Sequence, residues 1–236
     1  MAKSRIIKEL ANGNIDLATA LKRTKVLIAD LNCRDIMQWI DNEISGYDED
    51  LKLPSYRITN GNLRGSYFKG SMVSHIKYTN VPLPIGKMPK EYSDAMLSVN
   101  ISESIGALKE LVLSTNSKNK TLVKELPADY FPYIAKCNND PYMIISSAHV
   151  EFSVSFILDI FSKVENKLLD ILLLLEKEFG ILDELDLDVS TKSPEELSTI
   201  TDKISVIVFD NSIKIGNGNV LKNSDIQSSR NIESDN

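Results

Sequence analysis

Cysteine, histidine and tryptophan are all scarce: the 236 residues include two Cys, two His and one Trp. Cys33 and Cys137 are too few for a disulfide scaffold or a multi-cysteine zinc module. His75 and His149 give no basis for a histidine-rich metal centre. Long uncharged apolar runs are missing as well. The most apolar stretch, Phe156 to Leu175, carries Asp159, Lys163, Glu165, Lys167 and Asp170, which a bilayer span does not tolerate at ordinary cost. The opening MAKSRIIKELANGNIDL is basic but has no apolar core of the signal-peptide kind. These absences predict a cytoplasmic chain with reduced thiols and no membrane partner.

Catalytic motifs are absent too. No G-x-S-x-G occurs, and the Gly65 to Gly70 stretch is not followed by G-K-[ST], so neither a hydrolase elbow nor a Walker A loop is present. His149-Val-Glu151 has the H-x-E spacing of zinc deaminases but no P-C-x-x-C downstream. Asp183, Glu184, Asp186 and Asp188 lack the glycine and terminal glutamate of a Ca²⁺ loop. The expectation is therefore no catalytic residue, no metal site and no cofactor.

What is present is an ordinary globular composition, 42% hydrophobic and 25% charged, with an uneven charge layout. The formal net charge of −6 belongs to the tail, because residues 1–180 carry as many Lys and Arg as Asp and Glu. Residues 51–90 hold seven Lys or Arg and no Asp or Glu. In that block Arg57, Arg64, Lys69 and Lys77 alternate with Tyr56 and Tyr67. Cations that neutralise phosphates beside rings that stack on bases make these six the candidate site for an anionic ligand or nucleic acid. The competing expectation is a basic sheet face docked on the acidic residues 91–180 of the same chain.

The spacing of apolar residues predicts an α+β protein. Residues 1–50 read as an N-terminal helical bundle, with Asp16 as a helix cap, a stripe through Ile36, Trp39 and Ile40, and Gly46 as a stop. Residues 51–180 read as a mixed α/β body. Within it, two strands break near Gly70, helices cover 91–113 and 121–136, a strand covers 142–149, and a long C-terminal helix runs from Phe152 to Phe179. Residues 181–203 read as a linker. Residues 204–226 read as a β-rich element, beginning with the β-branched run Ile204 to Phe209 and shaped like a short β-roll. Residues 227–236 read as disordered, so the whole tail is expected to be flexible. One rung of a roll does not bury its own apolar face, so the tail points to a homo-oligomer.

Residues 4–57 carry more than periodicity. The segments SRIIKELANGNIDL and ALKRTKVLIADL, then Trp39, Glu43, Gly46, Tyr47 and Leu53-Pro54-Ser55-Tyr56-Arg57, resemble the AbiTii domain family, and the likeness extends more loosely through residue 180. That resemblance implies a role in abortive phage infection, a form of bacterial anti-phage defence. It carries over no catalytic residue. The function expected is a non-enzymatic sensor or interaction module acting by self-association, with a phage component as a candidate partner. Two alternatives stand beside it: a nucleic-acid-directed effector, such as a nuclease of unrecognised type, using residues 51–90, and an antitoxin-like regulator whose acidic tail masks that basic block.

Overall fold

The computed structural model describes residues 3–71, 73–115 and 120–209, together with the backbone of 212–215 and 219–222. Three helices open the chain: α1 (Arg5–Ala11), α2 (Leu17–Ile28) and α3 (Arg34–Ser45). Asp16 caps α2 by accepting from the Thr19 amide at 3.4 Å. Ile6, Ile7 and Leu10 of α1, Leu21 and Ile28 of α2, and Ile36, Trp39 and Ile40 of α3 are buried, as the helical spacing predicts.

The middle of the chain forms two antiparallel sheets. The smaller pairs β1 (Ile58–Asn60) with β4 (Ser98–Asn100). The larger has the order β3-β2-β6-β5, from β2 (Asn62–Gly70), β3 (His75–Pro82), β5 (Thr121–Glu125) and β6 (Ile144–Ser153). Helices α4 (Lys90–Leu97), α5 (Ile105–Ser114) and α6 (Phe131–Cys137) lie between the strands in sequence. On β2, Leu63, Gly65 and Tyr67 oppose Val150, Ala148 and Ile145 of β6 and face the core. Arg64, Ser66 and Phe68 alternate onto the other face.

Two expectations for this region are corrected. Residues 121–136 are not one helix, because Thr121–Glu125 is an edge strand on β6 and α6 begins only at Phe131. The run 91–113 is interrupted by β4, whose backbone pairs with β1, and Ser104 then caps α5 through the Ala107 amide. In both places strand pairing with sequence-distant residues overrides local helical spacing.

Helix α7 (Val154–Phe179) is the centre of the molecule. Ile157, Ile160, Val164, Leu168, Ile171, Leu172 and Leu175 are fully buried along it. Each such side chain contributes about 1.5–3 kcal/mol by leaving water. Helices α1, α2 and α5 pack on α7, as does α8 (Pro194–Phe209).

Helix α8 corrects the reading of the tail. Residues 181–203 are not a plain linker, and Ile204 to Phe209 does not begin a β-rich element. Ser193 and Glu196 form a reciprocal cap: the Glu196 amide donates to Ser193 Oγ at 3.2 Å and the Ser193 amide to Glu196 Oε2 at 2.8 Å. Pro194 fits the first helical turn. Ile200, Ile204 and Val208, spaced by four, are buried. The β-branched residues at 204–208 thus serve a helix, since burial against α7 outweighs a small propensity difference. Beyond it, β7 (Ser212–Ile215) and β8 (Asn219–Lys222) pair antiparallel in a two-stranded sheet. The expectation for residues 227–236 lies outside the described residues. Among the described residues no helix is long and apolar enough to cross a membrane.

The segment before α1 is tied to the end of α7 by one carboxylate. Glu176 Oε1 accepts from the Ser4 amide at 2.6 Å and from Ser4 Oγ at 2.7 Å, and Oε2 meets Lys3 Nζ at 2.6 Å. Ser4 Oγ in turn accepts from the Leu182 amide at 3.0 Å. Burial raises the Glu176 pKa, but the bonds from Lys3 and Ser4 outweigh it and lower it from 4.5 to about 2. A carboxylate with a depressed folded-state pKa adds stability above its unfolded value and loses it as pH falls through its folded value. The melting temperature is therefore expected to fall between pH 4.5 and about 2, in a step that Glu176→Gln removes. Identical acid profiles for the two proteins, measured by thermal unfolding, would contradict this assignment.

Candidate functional site

The polar residues of the segment 39–57 converge on one buried carboxylate. Trp39, Glu43 and Tyr47 are spaced by four, so α3 and its exit present them on one side. Gly46 makes that exit possible. It sits at φ +100°, and a Cβ there would lie 3.1 Å from the Ser102 carbonyl oxygen. The Tyr47 amide then donates to the same carbonyl at 2.8 Å. Pro54 starts the turn that brings Tyr56 and Arg57 back, with the Arg57 amide donating to the Pro54 carbonyl at 2.9 Å.

Glu43 and Arg57 are completely buried and form a forked ion pair. Arg57 Nη2 donates to Glu43 Oε2 at 2.6 Å and Nε to Oε1 at 3.2 Å. The remaining Arg57 nitrogen, Nη1, donates to the carbonyls of Ile101 at 3.0 Å and Glu103 at 2.8 Å. Glu43 Oε1 also accepts from the hydroxyls of Tyr47 at 2.7 Å and Tyr56 at 2.6 Å. Trp39 Nε1 donates to the Tyr56 hydroxyl at 2.8 Å. The Arg57 guanidinium also lies 4.8 Å from the centre of the Tyr47 ring. No buried side-chain nitrogen or oxygen among the described residues lacks a hydrogen-bond partner.

This environment fixes protonation. Burial and the Glu43 charge push both phenols up, so Tyr47 and Tyr56 remain hydrogen-bond donors at any physiological pH. Burial opposes the Arg57 charge, while the Glu43 bonds and charge favour it and prevail, raising its pKa.

The six residues expected to form an anion site do not lie together. Arg57 is corrected from a surface cation to a buried one, and Tyr56 belongs to the same network. Tyr67 faces the core side of the large sheet, stacked on Tyr78 at 4.7 Å. Lys69 shares that face by alternation and meets Asp140 at 3.1 Å. Arg64 and Lys77 lie on the opposite face. Arg64 Nε is 3.3 Å from Glu151, and Lys77 lies 5.8 Å from the Phe68 ring centre. Glu43 and the Ile101 and Glu103 carbonyls, which complete the network, were not among the candidate site residues. The four-residue spacing of Trp39, Glu43 and Tyr47 was the available signal for Glu43; nothing local pointed to the two carbonyls. Among the described residues no cluster of three or more His, Cys, Asp or Glu is placed to hold a metal ion.

A groove of about 600 Å³ opens beside the network, between α3, residues 47–56, Lys167 of α7 and Val208 and Phe209 of α8. Lys167 is nearly buried there, donating to the Ile207 carbonyl at 2.8 Å and lying 5.9 Å from the Tyr56 ring centre. The network is a structural floor for this groove, since its polar atoms are engaged with one another.

The AbiTii family model matches residues 4–201, which contain the whole network and the first half of α8. No curated protein and no solved structure matches the chain.

Breaking one partner of a buried pair leaves the other charge uncompensated, at a cost of about 3–5 kcal/mol. Glu43→Gln and Arg57→Met are each expected to lower unfolding stability by about that much. The double variant should lose clearly less than the sum of the two. Denaturant unfolding of the four proteins measures this, and additive losses would show that the pair is not coupled.

Proposed function

Because the chain belongs to the AbiTii family, an abortive-infection and anti-phage defence family, we propose that it acts in that defence as a non-enzymatic interaction module that works by self-association. The observation that carries this reading is the ribbon formed by β7 and β8. Its register runs from Ser212 opposite Lys222 to Ile215 opposite Asn219, and among the described residues neither strand pairs with any other. A lone two-stranded hairpin is of marginal stability in water. Its free edges carry unpaired amides and carbonyls that template pairing with another chain. A second copy of the same ribbon satisfies both requirements.

The defence role follows from the family, and self-association is the step that converts detection of infection into a response. A phage component is the trigger in this scheme.

The position of α8 sets the truncation that tests it. Ile204 and Val208 are core residues, so the shortened chain must end at Phe209 rather than before residue 204. Light scattering is expected to give an oligomer for the full chain and a folded monomer for residues 1–209. A monomer in both cases refutes self-association. In a phage-sensitive host the full chain should reduce plaquing on at least one phage of a panel, and the truncated chain should not. Equal plaquing with and without the full chain on every phage counts against the defence role itself.

A further inference from the structure

The groove beside the buried network has the makings of a ligand site. Its volume, about 600 Å³, lies within the roughly 300–1,000 Å³ of small-molecule sites. One wall consists of Trp39, Tyr47 and Tyr56, whose polar atoms are already engaged: the indole N–H with Tyr56, and both hydroxyls with Glu43. Trp39 and Tyr47 are buried, so the half-buried Tyr56 ring is the aromatic surface that this wall offers. The same hydrogen bonds hold the rings in place, so the wall is formed before any ligand arrives. Phe209, 40% exposed, adds a further aromatic surface to the lining.

The rim has a different character. Gln38 and Asn42, four apart on α3, line the groove, as does Ser55. Among the described residues their side chains make no hydrogen bond. Two amides and a hydroxyl thus present neutral donors and acceptors next to an apolar aromatic wall. Three charged residues line the groove: Lys167 is nearly buried and donates to the Ile207 carbonyl, and the two exposed ones, Asp35 and Lys52, are of opposite sign, so the rim has no net charge to favour a strongly anionic ligand. Ring faces that stack and amide side chains that read an edge are the combination by which proteins recognise an unpaired nucleobase.

We propose that this groove binds a nucleoside, with its base against Tyr56 and Phe209 and its edge on Gln38 and Asn42. Among the described residues the groove is lined by α3, residues 47–56, α7 and α8 alone, and nucleoside binding is read out separately from oligomer size. Its test is therefore separable from that of self-association.

The test uses the full chain with adenosine, guanosine, cytidine and uridine as probes and inorganic phosphate as the control. Saturation-transfer NMR detects binding, and calorimetry gives the affinity. At least one nucleoside is expected to bind at millimolar concentration or below, while phosphate does not. Gln38→Ala with Asn42→Ala removes two side chains' hydrogen bonds and should weaken that nucleoside roughly tenfold or more, with an unchanged melting temperature. Phe209→Ala, at the end of α8 in the lining, should weaken it as well and keeps the test decisive if the helix variant is destabilised. Lys163→Ala, outside the groove, should leave the affinity unchanged. Failure of all four nucleosides to bind, binding of phosphate alone, or equal affinity in the wild type and both groove variants would overturn the proposal.

Discussion

The Glu43–Arg57 pair is the constraint around which the first hundred residues are arranged. A carboxylate and a guanidinium with no exposure to solvent are tolerable only if every lone pair and every N–H finds a partner. Two tyrosine hydroxyls and two main-chain carbonyls supply those partners. They come from α3, the segment after it, and the Ile101–Glu103 backbone. Once the pair forms, α3 has one orientation relative to the strand pair β1–β4, because the Ile101 amide also donates to the Arg57 carbonyl at 2.9 Å. Much of the specificity here therefore comes from polar satisfaction, on top of the apolar packing around α7.

This gives a physical reason for the order of residues at 39–57. The Trp, Glu and Tyr spaced by four need a helix, the Gly needs a helix end crowded by another main chain, and the Pro needs an extended return. Each residue type answers a different geometric demand of the same network. The groove is what remains when a closed polar cluster is walled by aromatic rings and bordered by α8.

Some of this was legible in the sequence and some was not. The Asp16 cap, the Ile36–Trp39–Ile40 stripe and the long helix ending at Gly180 were readable, because their signals are local and repeat with the helical period. Strand β5 was read as helix, since a five-residue edge strand is defined by its partner β6 and not by its own pattern. Helix α8 was missed because Ser193, Pro194 and Glu196 are unremarkable in a polar, acidic stretch until seen as a cap. Arg57 was counted with the surface cations because summing charge along a segment cannot register a partner at Glu43, fourteen residues earlier. Burial and the meeting of Arg57 with Ile101 and Glu103 are properties of the folded topology.

The clasp of Ser4 by Glu176 separates its two halves by 172 residues of chain. During synthesis at about 5–20 residues per second, α1 therefore waits roughly ten to thirty seconds for the carboxylate that anchors its start. Throughout that interval Ile6, Ile7 and Leu10 have no α7 to cover them, and α2 is the chief neighbour then available. Helix α1 is made well before α7 and reaches its final seat only after it. The nascent chain on the ribosome is thus a more adhesive species than the finished protein.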